Sequence, residues 1–351
     1  MADDWSRLAH RSESPFMTAE WLNCWWHAFG RGEPTWLLLS ETDGSLAAGA
    51  FLEARGSNLT SAANVHSGAW DVVSRDEDAR AQLWEALGEL PARCLRLHGI
   101  PEQAGWADAA EVALQRAGYR VVRDNRPSSP WLGLPTTWEE LIQSVSRNLR
   151  SQWRRRRRAL EREGALTFRT VTRPAELAPA LADFLRLEAS GWKGRESTAI
   201  LSNPRTEQFY RAFAQAAAQQ GWLRLHLLEL DGQLIAGDYG CSFAGTGFLI
   251  KTAFSESHEQ FSPGLVLRGM VLQAAIEEGL GSYDFLGGPE RYKLAWTSEV
   301  RPRVRLFAYR GSALPRYVYR SRLHPLLRPT IGPLASRVGT RIRQLRSRSR
   351  R

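Results

Sequence analysis

Lysine is almost missing from this chain. Only Lys193, Lys251 and Lys293 occur among 47 basic residues, the rest being arginine. A GC-rich coding bias accounts for such a ratio. Where that bias operates, a surviving lysine marks a position that arginine does not serve. An ammonium group is compact and its pKa shifts readily, whereas a guanidinium is planar and permanently charged. Cysteine is nearly as scarce. Cys24, Cys94 and Cys241 are isolated, with no CxxC pair, which excludes a disulfide framework and points to a reducing, cytoplasmic compartment. There is no HExxH, and the seven histidines are scattered, so no metal site is expected. No apolar run approaches the ~20 residues of a membrane span. The Met-Ala-Asp-Asp-Trp start lacks the basic and apolar regions of a signal peptide, so none is expected.

Acidic residues are missing from one region only. None follows Glu299, while 15 arginines fall between Arg301 and Arg351. A second basic cluster comprises Arg147, Arg150 and Arg154 to Arg158. The net charge of +10 belongs to these two segments, and the remainder is acidic. A length of 351 residues suits two domains, and 43% hydrophobic residues with 14 tryptophans suffice for packed cores.

An internal repeat supports that division. Residues 36–49 (WLLLSETDGSLAAG) and 225–237 (LHLLELDGQLIAG) both read as a strand, an Asp-Gly turn and a second strand. The second half reads β-α-α-β-β-β-α-β-α-β. Helices are expected over Pro174–Ser190, Arg205–Gln220 and Pro263–Glu278, with strands between them. Ser262 is the N-cap of the last helix, and Pro263 lies in its first turn. The first half is a poorer copy, with helices at 21–29 and 76–90 and strands at 95–97 and 119–122. One long helix is expected over 138–163. Its face of Leu141, Val145, Leu149, Trp153 and Leu160 is opposed by arginine.

Three stretches resemble a known family: Glu188-Ala-Ser-Gly-Trp-Lys-Gly194, Phe261-Ser-Pro-Gly-Leu265, and Asp284-Phe-Leu-Gly-Gly-Pro-Glu-Arg-Tyr-Lys-Leu-Ala-Trp296. They are similar to the acetyltransferase domain of the CelD/BcsL group of the GNAT superfamily, related to the FemAB peptidyltransferases. The likeness is good over about 140–310 and weak before it. It implies an α/β fold of tandem GNAT-like domains, each a mixed, mostly antiparallel sheet flanked by helices, the second the better preserved. The expected division is a degenerate domain over 1–136, an Arg-rich linking helix over 137–163, an acyltransferase domain over 164–312 and a basic tail over 313–351.

The resemblance implies transfer of an acetyl or acyl group from acyl-CoA to an amine, with an amino sugar or a cell-envelope or polysaccharide precursor among the acceptors. Such transfer needs a base for the ammonium proton, donors for the oxyanion and an acid for the thiolate. GNAT domains gather these around the splayed strands that flank the central helix. Here that places Asp284 or Glu290 as base and Tyr292 as acid, with Lys293 at the donor phosphate or acyl carbonyl. Structural ion pairing of Lys293 with Asp284 or Glu290 is the competing reading. Glu188, Trp192, Lys193 and Gly194 are expected at the acceptor. Ser262 and Gly264, with Lys293, are expected at the donor. The loop before the helix has one glycine and a proline, so its phosphate cradle is incomplete. Aminoacyl-tRNA, the FemAB donor, therefore stays open as an alternative.

Lys251 is expected to have a structural role. With Ala244 to Gly247 as the turn and Phe243 and Phe248 flanking it, Lys251 is diagonally opposite Asp238, as a cross-strand salt bridge. The Arg-rich helix suits a counter-anion, and the Arg-rich tail suits an anionic membrane surface, which would make the protein peripheral at the inner face. A non-catalytic module binding a polyanion or membrane is the third reading.

Overall fold

The computed structural model describes residues 2–102 and 105–323. The expected basic tail lies outside the described residues beyond Leu323.

The first half runs α1 (Ala2–Arg11), α2 (Ala19–Phe29), β1 (Glu33–Ser40), β2 (Leu46–Arg55), β3 (Asn58–Ser61), β4 (Val73–Ser74), α3 (Glu77–Glu89), β5 (Cys94–Pro101), α4 (Trp106–Arg116) and β6 (Arg120–Gly133). Helices α5 (Trp138–Ser144) and α6 (Arg147–Glu163) lead into β7 (Leu166–Val171), α7 (Pro174–Ser190), α8 (Trp192–Arg195), α9 (Pro204–Gln219), β8 (Leu223–Leu230), β9 (Gln233–Phe243) and β10 (Thr246–Phe254). The chain continues through α10 (Pro263–Glu277), β11 (Ser282–Asp284), α11 (Arg291–Leu294), β12 (Val300–Tyr309) and α12 (Leu314–Val318).

All twelve strands join one mixed sheet, ordered β1-β2-β3-β5-β12-β6-β11-β10-β9-β8-β7, with β4 paired to β2 off that path. Only β3–β5 and β10–β11 are parallel. The order is close to a palindrome when the sequence repeat is overlaid. Each half carries an antiparallel hairpin, a third antiparallel strand and a fourth that is parallel to the third, and the second half adds β7 outside its hairpin. The last strand of each half crosses over. β12 pairs with β5, and β6 pairs with β11, so the two halves share a sheet instead of building one each. The repeated Asp-Gly turns fall where expected. Asp231 and Gly232 both have positive φ (49° and 77°), as a two-residue turn matched to strand twist requires.

Alternation along the strands divides the second-half core. Leu227 and Phe248 face the layer of α7 and α9, while Leu228 and Leu249 face α5, α6 and α10. Indole contact sets the second layer. Trp153 of α6 donates from Nε1 to the Val266 carbonyl at 3.2 Å, and a Cβ at Gly269 would fall 2.0 Å from that nitrogen. Only glycine lets α10 approach α6 so closely.

The single helix expected over 138–163 is two. Val145 is extended (ψ 161°), and the Ser146 hydroxyl accepts from the Leu149 amide at 3.2 Å, starting a new helix. Serine favours an N-cap over a helix interior because its oxygen satisfies an amide that would lack a partner. The hydrophobic spacing runs on across the break, so periodicity alone does not reveal it.

Candidate active site

Parallel pairing of β10 with β11 covers only Thr246–Phe248 and Ser282–Asp284. Beyond Phe248 and Asp284 the two strands part. On its other edge β10 carries a register shift between Leu249 and Lys251. One extra residue there turns the following side chains to the opposite face. Lys251 is thus opposite Tyr239, and Thr252 is opposite Asp238. The salt bridge expected between Lys251 and Asp238 does not form. Asp238 instead pairs with Arg268 of α10 at 2.8 Å, both side chains being buried. The turn is two residues, Ala244 and Gly245, and not the four expected over 244–247, so Phe248 lies opposite Cys241 and not Phe243. The expected faces still hold as far as Leu249, and the bulge reverses them.

The bulge delivers Lys251 to a cavity of about 520 Å³. Both halves wall it in equivalent ways. Residues 63–68 and His98–Gly99 follow the parting of β3 and β5, while Ile250–Lys251 and Leu286–Gly288 follow the parting of β10 and β11. Arg126 of β6 and Arg303 and Arg305 of β12, the exchanged strands, complete the lining.

Around Lys251 stand Tyr210, His66, Glu188 and Lys193. The ammonium lies 5.5 Å from the centre of the Tyr210 ring. The Tyr210 hydroxyl is bonded to Nδ1 of His66 at 3.1 Å, and the His66 ring stacks on Phe29. Burial lowers the Lys251 pKa from 10.5 to about 8, helped by repulsion from Lys193 and opposed by Glu188. Burial and the nearby Lys251 charge hold His66 down at about 4, so it is neutral near pH 7. Lys193 donates to the Thr252 carbonyl at 2.7 Å and lies 3.4 Å from Glu188. The second Glu188 oxygen accepts from the Ile200 amide at 2.8 Å, fixing the turn before α9.

The other residues expected at the site are distributed as follows. Asp284 is buried at the parting itself, but its oxygens are engaged. It accepts from Ser129, from the Leu286 amide at 2.8 Å and from Arg303 at 3.0 Å. Lys293, 5% exposed, donates to the Leu286 carbonyl at 2.6 Å and pairs with Glu290 at 2.7 Å. Its third contact, the Gly288 carbonyl, is at 3.4 Å. Asp284 and Lys293 therefore brace the Leu286–Gly288 wall. Tyr292 is 46% exposed and does not line the cavity. Trp192 is also exposed, and its amide donates to Glu256 at 2.8 Å. A Cβ at Gly194 would meet the Ala189 carbonyl at 1.8 Å, so that turn requires glycine.

The start of α10, expected to hold the donor through Ser262 and Gly264, offers few free backbone amides. Ser262 is left-handed (φ 50°) with no side-chain cap, Pro263 has no N–H, and the Leu265 and Val266 amides both bond to the Ser262 carbonyl. That leaves the Gly264 amide. Arg156 of α6 donates to the Gln260 carbonyl in the loop before it. The outer face of α6, a separate surface, presents Arg147, Arg150, Arg154, Arg155, Arg158 and Arg162. Of the Arg154–Arg158 run, Arg157 pairs with Glu161 at 2.8 Å. Among the described residues, no helix is long and apolar enough to cross a membrane.

Sequence reasoning missed the cavity's first-half wall and set Lys251 aside. The signal for Lys251 was its rarity as a lysine, and no local pattern marks His66 or Arg126.

Comparison with known proteins bears on this geometry. Residues 147–294 match the family described as an acetyltransferase (GNAT) domain. No curated protein matches the sequence closely enough to count as a relative. Among solved structures, FemX is similar at a TM-score of 0.62 and 13% identity, covering 91% of this chain and 98% of its own. A conserved protein of unknown function from Bacteroides thetaiotaomicron gives 0.58 and 12% over 88% and 98%. A C-terminal DUF2156 domain from Agrobacterium fabrum gives 0.57 and 15% over 91% and 95%. At such identities the likeness is one of fold. The chain has a GNAT acetyltransferase-like fold, and the family match falls on the half that carries Lys251, Asp284 and Lys293.

Proposed function

We propose that the protein is an N-acyltransferase that moves an acyl group from acyl-CoA to an amine held in the cavity between its halves, with Lys251 as the proton acceptor. The observation that carries this reading is an amine with a pKa of about 8, turned by a β-bulge into a cavity at the parting of β10 and β11. A general base works best with a pKa near the working pH and in reach of the proton it takes. Lys251 has no carboxylate in ion-pair contact among the described residues, and its nearest aromatic partner leaves Nζ free to accept.

An acyl thioester bound between the strands supplies an activated acyl carbon, whose C–S bond breaks as the C–N bond to the amine forms. The protein's own groups do the rest. Neutral Lys251 takes the proton that the acceptor ammonium must lose before its nitrogen can attack, and the CoA leaves as its thiolate. Burial lowers the proton affinity of Lys251, with Lys193 adding to the effect and Glu188 opposing it. Asp284 and Lys293 hold the Leu286–Gly288 wall rigid through its backbone. The Gly264 amide and Arg156 would hold the donor's phosphates. The outer arginine face of α6 favours a second reading, an aminoacyl-tRNA donor, since a polyanion suits six arginines along one helix.

The test is thiol release from acetyl-CoA with a panel of primary amines, beside calorimetry with desulfo-CoA. Amine-dependent thiol release that Lys251→Met removes, with desulfo-CoA binding retained, is the expected result. Wild-type protein that neither binds desulfo-CoA at millimolar concentration nor releases thiol would sink the CoA reading and leave the tRNA donor.

A further inference from the structure

The same cavity has a charge pattern that the transfer chemistry does not require. Four of its lining residues are formal cations, Lys251, Arg126, Arg303 and Arg305, and no Asp or Glu lines it. Two of the four are neutralised from behind, Arg303 by Asp284 and Arg305 by Asp124. Arg126 and Lys251 have no carboxylate in ion-pair contact among the described residues. Arg126 shows the consequence. Partial burial and repulsion from Arg305 and Arg303 lower its pKa, with Asp124 only partly offsetting them. His98, a further lining residue, is lowered to about 4 by burial and by Arg305 and Arg126, so it adds hydrogen-bonding capacity without charge.

Cations gathered in a partly buried space without counter-charge are unfavourable by themselves. A guanidinium in that setting is a fork with its planar donors unused, matched in shape to a carboxylate or a phosphate. We infer that the cavity binds an acceptor amine that also carries an anionic group, carboxylate or phosphate, with Arg126 pairing the anion and Lys251 facing the amine. The inference rests on the acyltransferase reading for the role of the amine, but the anion site stands on the charge pattern alone.

The geometry also assigns the site to both halves. Arg126 belongs to β6, the strand that the first half contributes next to β11, whereas Lys251 belongs to β10. The crossover of last strands brings anion and amine recognition to one cavity. Neither half lines it alone, which gives the first half a function beyond support.

The experiment is calorimetric binding of three amines to the full chain: phosphoethanolamine, β-alanine and β-alaninamide, the last being the control that lacks an anionic group. Each is measured with wild type, Arg126→Gln and Arg126→Lys, and desulfo-CoA is titrated in parallel. Wild type should bind at least one anionic amine about tenfold tighter than the amide, and Arg126→Gln should remove that preference while leaving the amide's binding unchanged. Arg126→Lys should restore part of it. The phosphate and carboxylate arms decide which anion is preferred. Equal binding of all three amines, or no binding of any at millimolar concentration, overturns the inference. So does an Arg126→Gln effect confined to desulfo-CoA, which would give the cavity to the donor. Anionic preference without thiol release would keep the anion site and discard the acyltransferase reading. Thiol release with no anionic preference would do the reverse.

Discussion

Lys251 and Lys293 serve the same short segment, and their surroundings are opposites. Lys293 binds the carbonyls of Leu286 and Gly288 and pairs with Glu290, so its three donors are engaged. Lys251 lines the cavity with that same segment and has the Tyr210 ring as its partner. Both pKa values are lowered by burial, but the carboxylate beside Lys293 opposes the shift directly, while another ammonium adds to it at Lys251. The rarity of lysine marks both positions and says nothing of their roles. Partner geometry separates them: a cation with every donor engaged holds structure, and one with none is free to exchange a proton.

The sharpest way to break this contrast is to remove each ammonium in turn. Lys251→Met should lower kcat by roughly 10²–10⁴, the usual contribution of a positioned acid or base, with little change in thermal stability. Lys293→Met should do the reverse. It leaves the buried Leu286 carbonyl without its donor, at a cost of about 1–3 kcal/mol in denaturant unfolding, while retaining most of the activity per folded molecule. Were Lys293→Met to abolish turnover in protein of normal stability, Lys293 and not Lys251 would be the reacting group.

Between these in size lies the ion pair that Lys251 does not make. Asp238→Ala strands Arg268, 2% exposed, without its carboxylate, and should cost about 3–5 kcal/mol. Asp238→Ala should leave the pH profile of turnover intact, because Arg268 and not Lys251 is its partner. A shifted profile in a folded variant would mean that Lys251 senses Asp238 after all.

Much of the fold was legible because it rests on local chemistry. The Asp-Gly turns fix two hairpins, the Pro263 signal opens α10, and the second-half element order follows from hydrophobic spacing. Three features were not legible. The break at Ser146 interrupts the backbone without interrupting the apolar stripe. The exchange of β6 and β12 depends on long-range pairing that no local window contains. The bulge at Ile250 involves one residue with no glycine or proline beside it to announce it, and it alone moves Lys251 from the α10 face to the cavity. For the site this matters more than the others. The stretches that resemble the family supply Asp284 and Lys293, which brace the Leu286–Gly288 wall, whereas the groups proposed as base and anion site come from a bulge and from the first half, outside those stretches.

The smallest expected effect is on pH dependence, and it separates the two lysines without disturbing either fold. If neutral Lys251 takes the proton, kcat at saturating amine should rise with pH and level off above about 8. At pH 7 only about one tenth of an amine with that pKa is neutral, so the rate there should be about tenfold below the plateau. Stability should move the same way. An unfolded lysine keeps its proton up to about 10.5, whereas Lys251 in the folded chain releases it near 8, so between those values the unfolded state binds more protons and stability rises with pH. Below 8 both states are protonated and this contribution to the slope vanishes. Lys293→Met should keep the rising limb of kcat with its midpoint near 8, and Lys193→Met should move that midpoint upward, because Lys193 is one of the charges that lower it. A limb that stays in place when Lys193 is neutralised, or one that disappears with Lys293, would assign the titration to a group other than Lys251.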